Sequence, residues 1–324
     1  MRKIDPGEIL KNYLEAGDTV IIGVSGGPDS IYLLDLCIAF AKKTPLKIIV
    51  AHVNHGLRGS ESNADEKFVK KIASEKGLEF ESLKLKKLPA GNLEEVCRDA
   101  RYGFFAHLRE KHDAKWILTA HQQSDLIETV LFNLVRGSFL DGIKGMEITQ
   151  PKRHLLRPLL SISKEKILAE LKAKGIRYRV DSSNRNPKFS RNLIRNKIIP
   201  LLKKINPAFQ EAMIQNVENI NKIRALLSKS SDEWTSKNNA GENIPLKEFL
   251  AEPLPMQQNL LAELYKRTHG NTVKFNGKHL QQIIEVLHKK KAGIKKEFGD
   301  GCFLEVLWDQ EGKNRLIQVT KKAP

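Results

Sequence analysis

The sequence predicts an α/β protein: a doubly wound parallel sheet, then a helical connection, then a small α+β domain. Three observations carry this. Short apolar runs rich in Val and Ile alternate with helical patterns up to residue 136, the pattern changes near residue 150, and the residues after 245 mix helices with two strand-like runs.

The first strand is expected at 19–24 (TVIIGV), the second at 46–53 (LKIIVAHV), a weaker third at 78–85 (LEFESLKL) and the fourth at 115–120 (KWILTA). Helical patterns follow them at 28–43, 62–77, 92–112 and 124–136. Alternation at this spacing implies right-handed βαβ crossovers and strands covered on both faces. Ligands then belong beyond the carboxyl ends of the strands. Further on, a helix is expected at 163–174, a short strand near 177–180, a polar loop DSSNRNPKFSRN, and a helix starting near Leu193 and stopping before Pro200. A long helical stretch runs from Pro207 to Ser236, and 237–245 looks like a linker. Helices at 255–268 and 277–290 and strands at 301–308 and 315–319 complete a small domain. The expected domains are 1–205 and 206–324.

Hydrophobic residues are 40% and charged residues 29%, which suits a globular chain and excludes a disordered or fibrous one. No apolar run approaches the roughly 20 residues of a membrane span, and the start, MRKIDPGEIL, has no apolar leader core, so a cytoplasmic protein without a membrane partner is expected. Cys37, Cys97 and Cys302 lie far apart, in neither a disulfide nor a zinc or iron–sulfur pattern; the first two fall in expected helix interiors.

The net charge of +17 is unevenly spread. Residues 1–150 hold 21 basic and 21 acidic side chains, whereas residues 151–204 hold 16 basic and three acidic ones, Glu165, Glu170 and Asp181. So local an excess marks a polyanion site, nucleic acid being the commonest.

The stretch VIIGVSGGPDSIY (20–32) places a glycine-rich turn between a buried strand and a helix. Pro28 suits the first helical turn, so backbone amides converge at a helix N-terminus and make a phosphate site. Ser25 and Ser30 add hydroxyl donors, Gly26 and Gly27 let the backbone approach an anion, and Asp29 is available to a magnesium ion. The G-x-x-x-x-G-K-[ST] spacing of γ-phosphate-transferring loops is absent.

The loop resembles the SGGxDS motif of the PP-loop ATP pyrophosphatases, a Rossmann-like family that cleaves ATP between its α and β phosphates to adenylate a substrate. AHVNHGLR (51–58), CRDARYGFF (97–105), TAHQQSDLIETVLFNLVRGSFLDGIKGM (119–146), RPLL (157–160) and DSSNRNPKFSRNLIRNKIIPLL (181–202) are similar, in that order, to the tRNA(Ile)-lysidine synthetase family. The length suits a short form without that family's extra terminal domain. The resemblance implies ATP and Mg²⁺, free L-lysine, and an isoleucine tRNA with a CAU anticodon whose wobble cytidine is adenylated at carbon 2 and then joined to lysine. It implies a PP-loop catalytic domain over 1–205 and a tRNA-binding domain within 206–324, and leaves room for a homodimer.

Within that resemblance, Ser25, Gly26, Gly27, Pro28, Asp29 and Ser30 are the expected phosphate loop, Ala51, His52, Val53, Asn54 and His55 lie against adenosine, unless His52 or His55 is a satisfied strand-end histidine, and Arg98 and Arg101 add positive charge, unless they form a solvated helix face paired with Glu94 or Glu95. Asp29, His121, Asp125, Glu128 and Arg195 are the expected catalytic residues. Asp125 and Glu128, three apart on one helix, suit orientation of an ammonium and acceptance of its proton, the alternative for Asp125 being a helix cap. Asp181, Asn184, Arg191, Asn192 and Arg195, with Asp125 and Glu128, are expected to hold lysine or tRNA; a structural network at the helix start is the plainer alternative. The family's usual A-H-H-x-D-D-x-x-E-T is altered here, with Gln122 replacing a His and Ser124 an Asp, which leaves one carboxylate of an acidic pair. A tRNA thiolase, an inactive RNA-binding relative and a small-molecule ligase with the same loop are the competing readings. The missing Cys-x-x-Cys cluster weighs against the first, the intact loop against the second and the basic second half against the third.

Overall fold

The computed structural model describes residues 5–57, 59–85, 93–138, 140–180, 190–241, 243–269, 277–289, 293, 295–299 and 302–321. It divides into two compact units, residues 1–127 with 146–197, and residues 128–145 with 198–324. In chain order the elements up to residue 205 are α1 (Pro6–Tyr13), β1 (Thr19–Gly23), α2 (Pro28–Ala41), β2 (Lys47–Asn54), α3 (Ser60–Glu75), β3 (Glu79–Lys84), α4 (Leu93–Lys111), β4 (Trp116–Leu118), α5 (Gln123–Val135), α6 (Leu140–Ile143), β5 (Thr149–Gln150), β6 (Leu155–Leu156), α7 (Lys164–Ala173), α8 (Ser190–Leu193) and α9 (Ile199–Ile205).

The first unit is built on a six-stranded sheet of order β3-β2-β1-β4-β6-β5, in which all neighbours run parallel except β5 against β6. Successive residues of β1 feed opposite cores. Val20 and Ile22 join Ile31, Leu34, Val69, Ile167 and Leu171 from α2, α3 and α7, while Ile21 joins Phe105 and Leu108 of α4. The sheet is therefore wound on both faces, as the apolar runs require. Strand order reverses beside β1: the chain leaves it toward β2 and β3 and returns to its other side at β4. The crevice at the carboxyl ends of β1 and β4 is the switch point where such sheets bind ligands. At Gly23, the last residue of β1, an added Cβ would lie 2.7 Å from the Phe105 ring, so glycine is what lets α4 pack this closely.

The second unit carries α10 (Phe209–Lys237), β7 (Asn243–Pro245), α11 (Leu246–Ala251), α12 (Leu254–His269), α13 (Gly277–His288), β8 (Lys295–Gly299), β9 (Cys302–Trp308) and β10 (Arg315–Lys321). Its antiparallel sheet has the order β7-β10-β9-β8, and Trp234, Phe249, Tyr265, Leu280, Ile283, Leu304 and Ile317 form its core. No helix among the described residues is long and apolar enough to cross a membrane.

Three expectations need correction. Residues 177–180 are not a strand; Arg179 N–H instead donates to the Gly26 carbonyl at 2.9 Å. The helix does not stop before Pro200: a π-turn at Ile194–Ile198 precedes α9, and Pro200 occupies the first turn of α9, where its missing N–H is tolerated. The stretch 237–245 is no mere linker, since Asn243–Pro245 pairs with β10.

Candidate active site

The turn after β1 is held by one hydroxyl. Ser30 Oγ, 5% exposed, accepts from Ser25 N–H (3.1 Å) and Gly26 N–H (3.2 Å) and donates to the Gly27 carbonyl (2.9 Å). Its single hydrogen is thereby committed, so in the 3.2 Å Ser25–Ser30 contact Ser25 is the donor. Gly26 has φ +93°, a conformation open to glycine, and its Cα faces Val69 and Phe68 of α3. Gly27 caps α2 without a side-chain cap bond, its own N–H donating to Ser25 Oγ at 3.4 Å, and Pro28 follows at the start of a 14-residue helix.

Asp29, in the first turn of α2, is gripped from elsewhere. Lys164 Nζ donates to both its oxygens, at 2.6 and 2.7 Å. Lys164 is the first residue of α7, positioned by Ser163, whose hydroxyl accepts from Lys166 N–H at 3.2 Å. Sequence reasoning assigned Lys164 no role.

At the end of β2, Ala51 and His52 are buried and Val53 is half-buried. His52 Nδ1 lies 2.8 Å from the Val24 carbonyl, an acceptor only, so Nδ1 carries the proton. Burial pulls the His52 imidazole down, against the opposing pull of that carbonyl and of Glu66 and Asp65, which favours its neutral form. Asn54 is 1% exposed and fully engaged, donating to Asn63 and Glu66 and accepting from Gly56 N–H at 3.0 Å, so it builds the turn after β2. His55 differs: its Nδ1 is buried and has no hydrogen-bond partner among the described residues. Burial, then Arg101 and His52, bring its imidazole down to about 4, so it is neutral at pH 7. Arg98 and Arg101, both exposed on α4, lie 5.7 Å from the centre of the same Tyr102 ring.

Beyond β4, buried Thr119 holds His121 through a 2.9 Å Oγ1–Nδ1 contact. Gln122 and Asp125 then close a reciprocal cap on α5: Gln122 Oε1 accepts from Ser124 N–H at 2.8 Å and Asp125 Oδ2 accepts from Gln122 N–H at 3.0 Å. Asp125 keeps Oδ1 for Arg195, whose Nη2 donates at 3.1 Å. Glu128, one turn further along α5, is 3% exposed. Burial pushes the Asp125 carboxyl up; the Gln122 N–H and Arg195 oppose this, Asp29 adds to it and Lys164 opposes it. Asp29, Lys164, Asp125 and Arg195 thus form one electrostatic cluster at the carboxyl ends of β1 and β4, with each carboxylate paired to a cation drawn from later in the chain.

Asn192, on α8, is half-buried. Asp181 and Asn184, and the Arg191 side chain, lie outside the described residues. The cluster can bind a polyphosphate at the loop, hold a hard cation on carboxylate oxygen, and orient or deprotonate an amine near Asp125.

A family model described as PP-loop domain matches residues 4–202. A protein named tRNA(Ile)-lysidine synthase from Geobacillus kaustophilus is 34% identical over 269 residues, 79% of this chain and 58% of that one. A protein of the same name from Bacillus subtilis is 33% identical over 293 residues, 85% and 61% respectively. The chain therefore spans about three-fifths of the length of these relatives. Among solved structures, the U34-tRNA thiolase NcsA from Methanococcus maripaludis superposes with a TM-score of 0.55 at 19% identity, covering 66% of this chain and 76% of that one, a likeness of fold.

Proposed function

The chain belongs to the PP-loop family through residues 4–202, and from that premise we propose that it is an ATP-dependent ligase joining lysine to carbon 2 of the wobble cytidine in a CAU-anticodon isoleucine tRNA. The observation that carries this is the cluster at the switch point: an anion-ready glycine loop with Asp29 on one side and an Arg195-held Asp125 on the other.

In the first step the cytidine oxygen attacks the α-phosphorus of ATP and pyrophosphate leaves. Ser25, Gly26, Gly27 and Ser30, with the N-terminal amides of α2, suit the departing pyrophosphate. Ala51 to His55 suits the adenosine, and the spare Nδ1 of neutral His55 is a hydrogen-bonding atom for it. Asp29 fits Mg²⁺: its oxygens are hard donors and already hold a cation. Bound there, Mg²⁺ would supply charge neutralisation of the phosphates.

In the second step the lysine ε-amine attacks carbon 2 and AMP leaves. Only the free amine is nucleophilic, and Asp125, raised by burial, is suited to accept its proton. His121 and Glu128, before and after it along the chain, are the supporting residues; Arg191, Asn192 and Arg195, with Asp181 and Asn184, are assigned to the lysine carboxylate and the RNA. The basic stretch 151–204 and the unit formed by the later residues are assigned to the tRNA backbone, in a cytoplasmic setting.

The test is to incubate the protein with Mg-ATP, radiolabelled lysine and unmodified CAU-anticodon isoleucine tRNA, and to count label in precipitated RNA. ATP-dependent incorporation that is lost in Asp29→Ala is expected. AMP release without incorporation would keep the adenylation step and move the nucleophile elsewhere, and absence of both would leave an RNA-binding protein.

A further inference from the structure

Three polar rungs join α2 to α7: Asp29 with Lys164, Tyr32 with Glu170 at 2.8 Å, and Asp35 with Lys174 at 2.7 Å. The last two lie further along α2, at Glu170 within α7 and at its C-cap, Lys174. The first stands at the N-terminus of α2, where the helix dipole and the uncapped amides are already positive. A cation is repelled there, so Lys164 rests in this place only because both Asp29 oxygens hold it. Four sources of positive charge or partial charge, the loop amides, the α2 N-terminus, Lys164 and Arg195, face two carboxylates. That balance suits a more highly charged anion than the protein itself supplies.

We propose that Lys164 is a phosphate-binding residue: it holds Asp29 while the loop is free of nucleotide, and transfers its ammonium to the β- and γ-phosphates of ATP when a divalent cation takes the Asp29 carboxylate. The four-carbon stem allows the exchange, because the side chain is 32% exposed while α7 itself is fixed by Ile167 and Leu171, both fully buried. No proton moves; the ammonium trades one anion for another and stays on the leaving pyrophosphate. Lys164 thereby supplies at this loop a cation that the loop's own sequence lacks. The assignment rests on the nucleotide-binding reading given above and adds a residue to it.

The experiment compares the wild-type chain, Lys164→Ala, Lys164→Arg, and Lys174→Ala, which removes the same charge from the same helix. Binding of Mg-ATP, inorganic pyrophosphate with Mg²⁺, and AMP is measured by titration calorimetry, and binding of Mn²⁺ alone by electron paramagnetic resonance. Lys164→Ala is expected to weaken ATP and pyrophosphate by about tenfold or more, to leave AMP unchanged, and to bind Mn²⁺ more tightly than wild type because Asp29 is released. Lys164→Arg should recover most of the pyrophosphate affinity, and Lys174→Ala should match wild type throughout. Unchanged AMP affinity also reports that the variant is folded. Equal pyrophosphate affinities in wild type and Lys164→Ala would overturn the assignment alone and leave an ordinary helix–helix ion pair. A wild-type chain that binds no ATP would overturn the nucleotide reading, and the assignment with it.

Discussion

Gln122 and Asp125 cap one another: the Gln122 amide oxygen holds Ser124 N–H at 2.8 Å while an Asp125 oxygen holds Gln122 N–H at 3.0 Å. The pair fixes the start of α5 and aims the second Asp125 oxygen at Arg195. Gln122→Ala should therefore cost about 1 kcal/mol of stability in urea unfolding and lower lysine incorporation by loosening Asp125, with ATP affinity little changed.

Asp125→Asn separates the cap from the charge. Because burial raises the Asp125 carboxyl, the folded chain holds that proton more tightly than the unfolded chain, and the ionised carboxylate lowers stability as pH rises above the unfolded value. Asp125→Asn should then remove that charge contribution at pH 7, so the profile flattens above the unfolded value, while its single amide oxygen keeps only one of the two bonds from Gln122 N–H and Arg195 Nη2. Lysine incorporation should nevertheless fall about 100-fold or more, as loss of a proton acceptor requires. Parallel unfolding curves and single-turnover assays check both halves.

His55 gives a pH signature. Its imidazole falls from 6.5 to about 4 on folding, so between these values the unfolded chain binds more protons. The His55 contribution to stability is complete above about 6.5 and is lost as pH falls toward 4. Replacing His55 by Gln should flatten the stability profile in that window, and the imidazole resonance of the folded chain should titrate near 4.

Gly26→Ala forces a side chain onto φ +93° and to within 3.4 Å of the Val69 methyl. A loss of about 1–2 kcal/mol in unfolding free energy is expected, together with a lower ATP affinity, since the strained turn no longer presents the Gly26 amide where Ser30 Oγ holds it. Chemical denaturation and calorimetry measure the two effects separately.

The wound sheet and the glycine loop were legible because their signals are local: β-branched runs of five to eight residues and a turn that admits glycine alone at Gly26. The strands β5 and β6 were not, since two-residue pairings exist only through their neighbours. Lys164 was missed because its partner is 135 residues away and a lysine at a helix start carries no pattern. Gln122 looked like a departure from the family motif, and its capping role appears only with the Asp125 geometry, glutamine being an uncommon cap. Asn54, expected against adenosine, also donates to Asn63 and Glu66 of α3 and accepts from Gly56 N–H, ties that exist only through the fold.

Ser30 has a consequence for how the loop meets an anion. Its oxygen sits where two amides converge and acts as an internal surrogate for a phosphate oxygen. When a phosphate arrives, those amides change acceptors rather than acquire them, so this exchange adds little affinity by itself. The selectivity of the loop must then come from charge. Nucleotide binding to this protein should weaken steeply with ionic strength, and neutral isosteres of the phosphates should find the loop already closed to them.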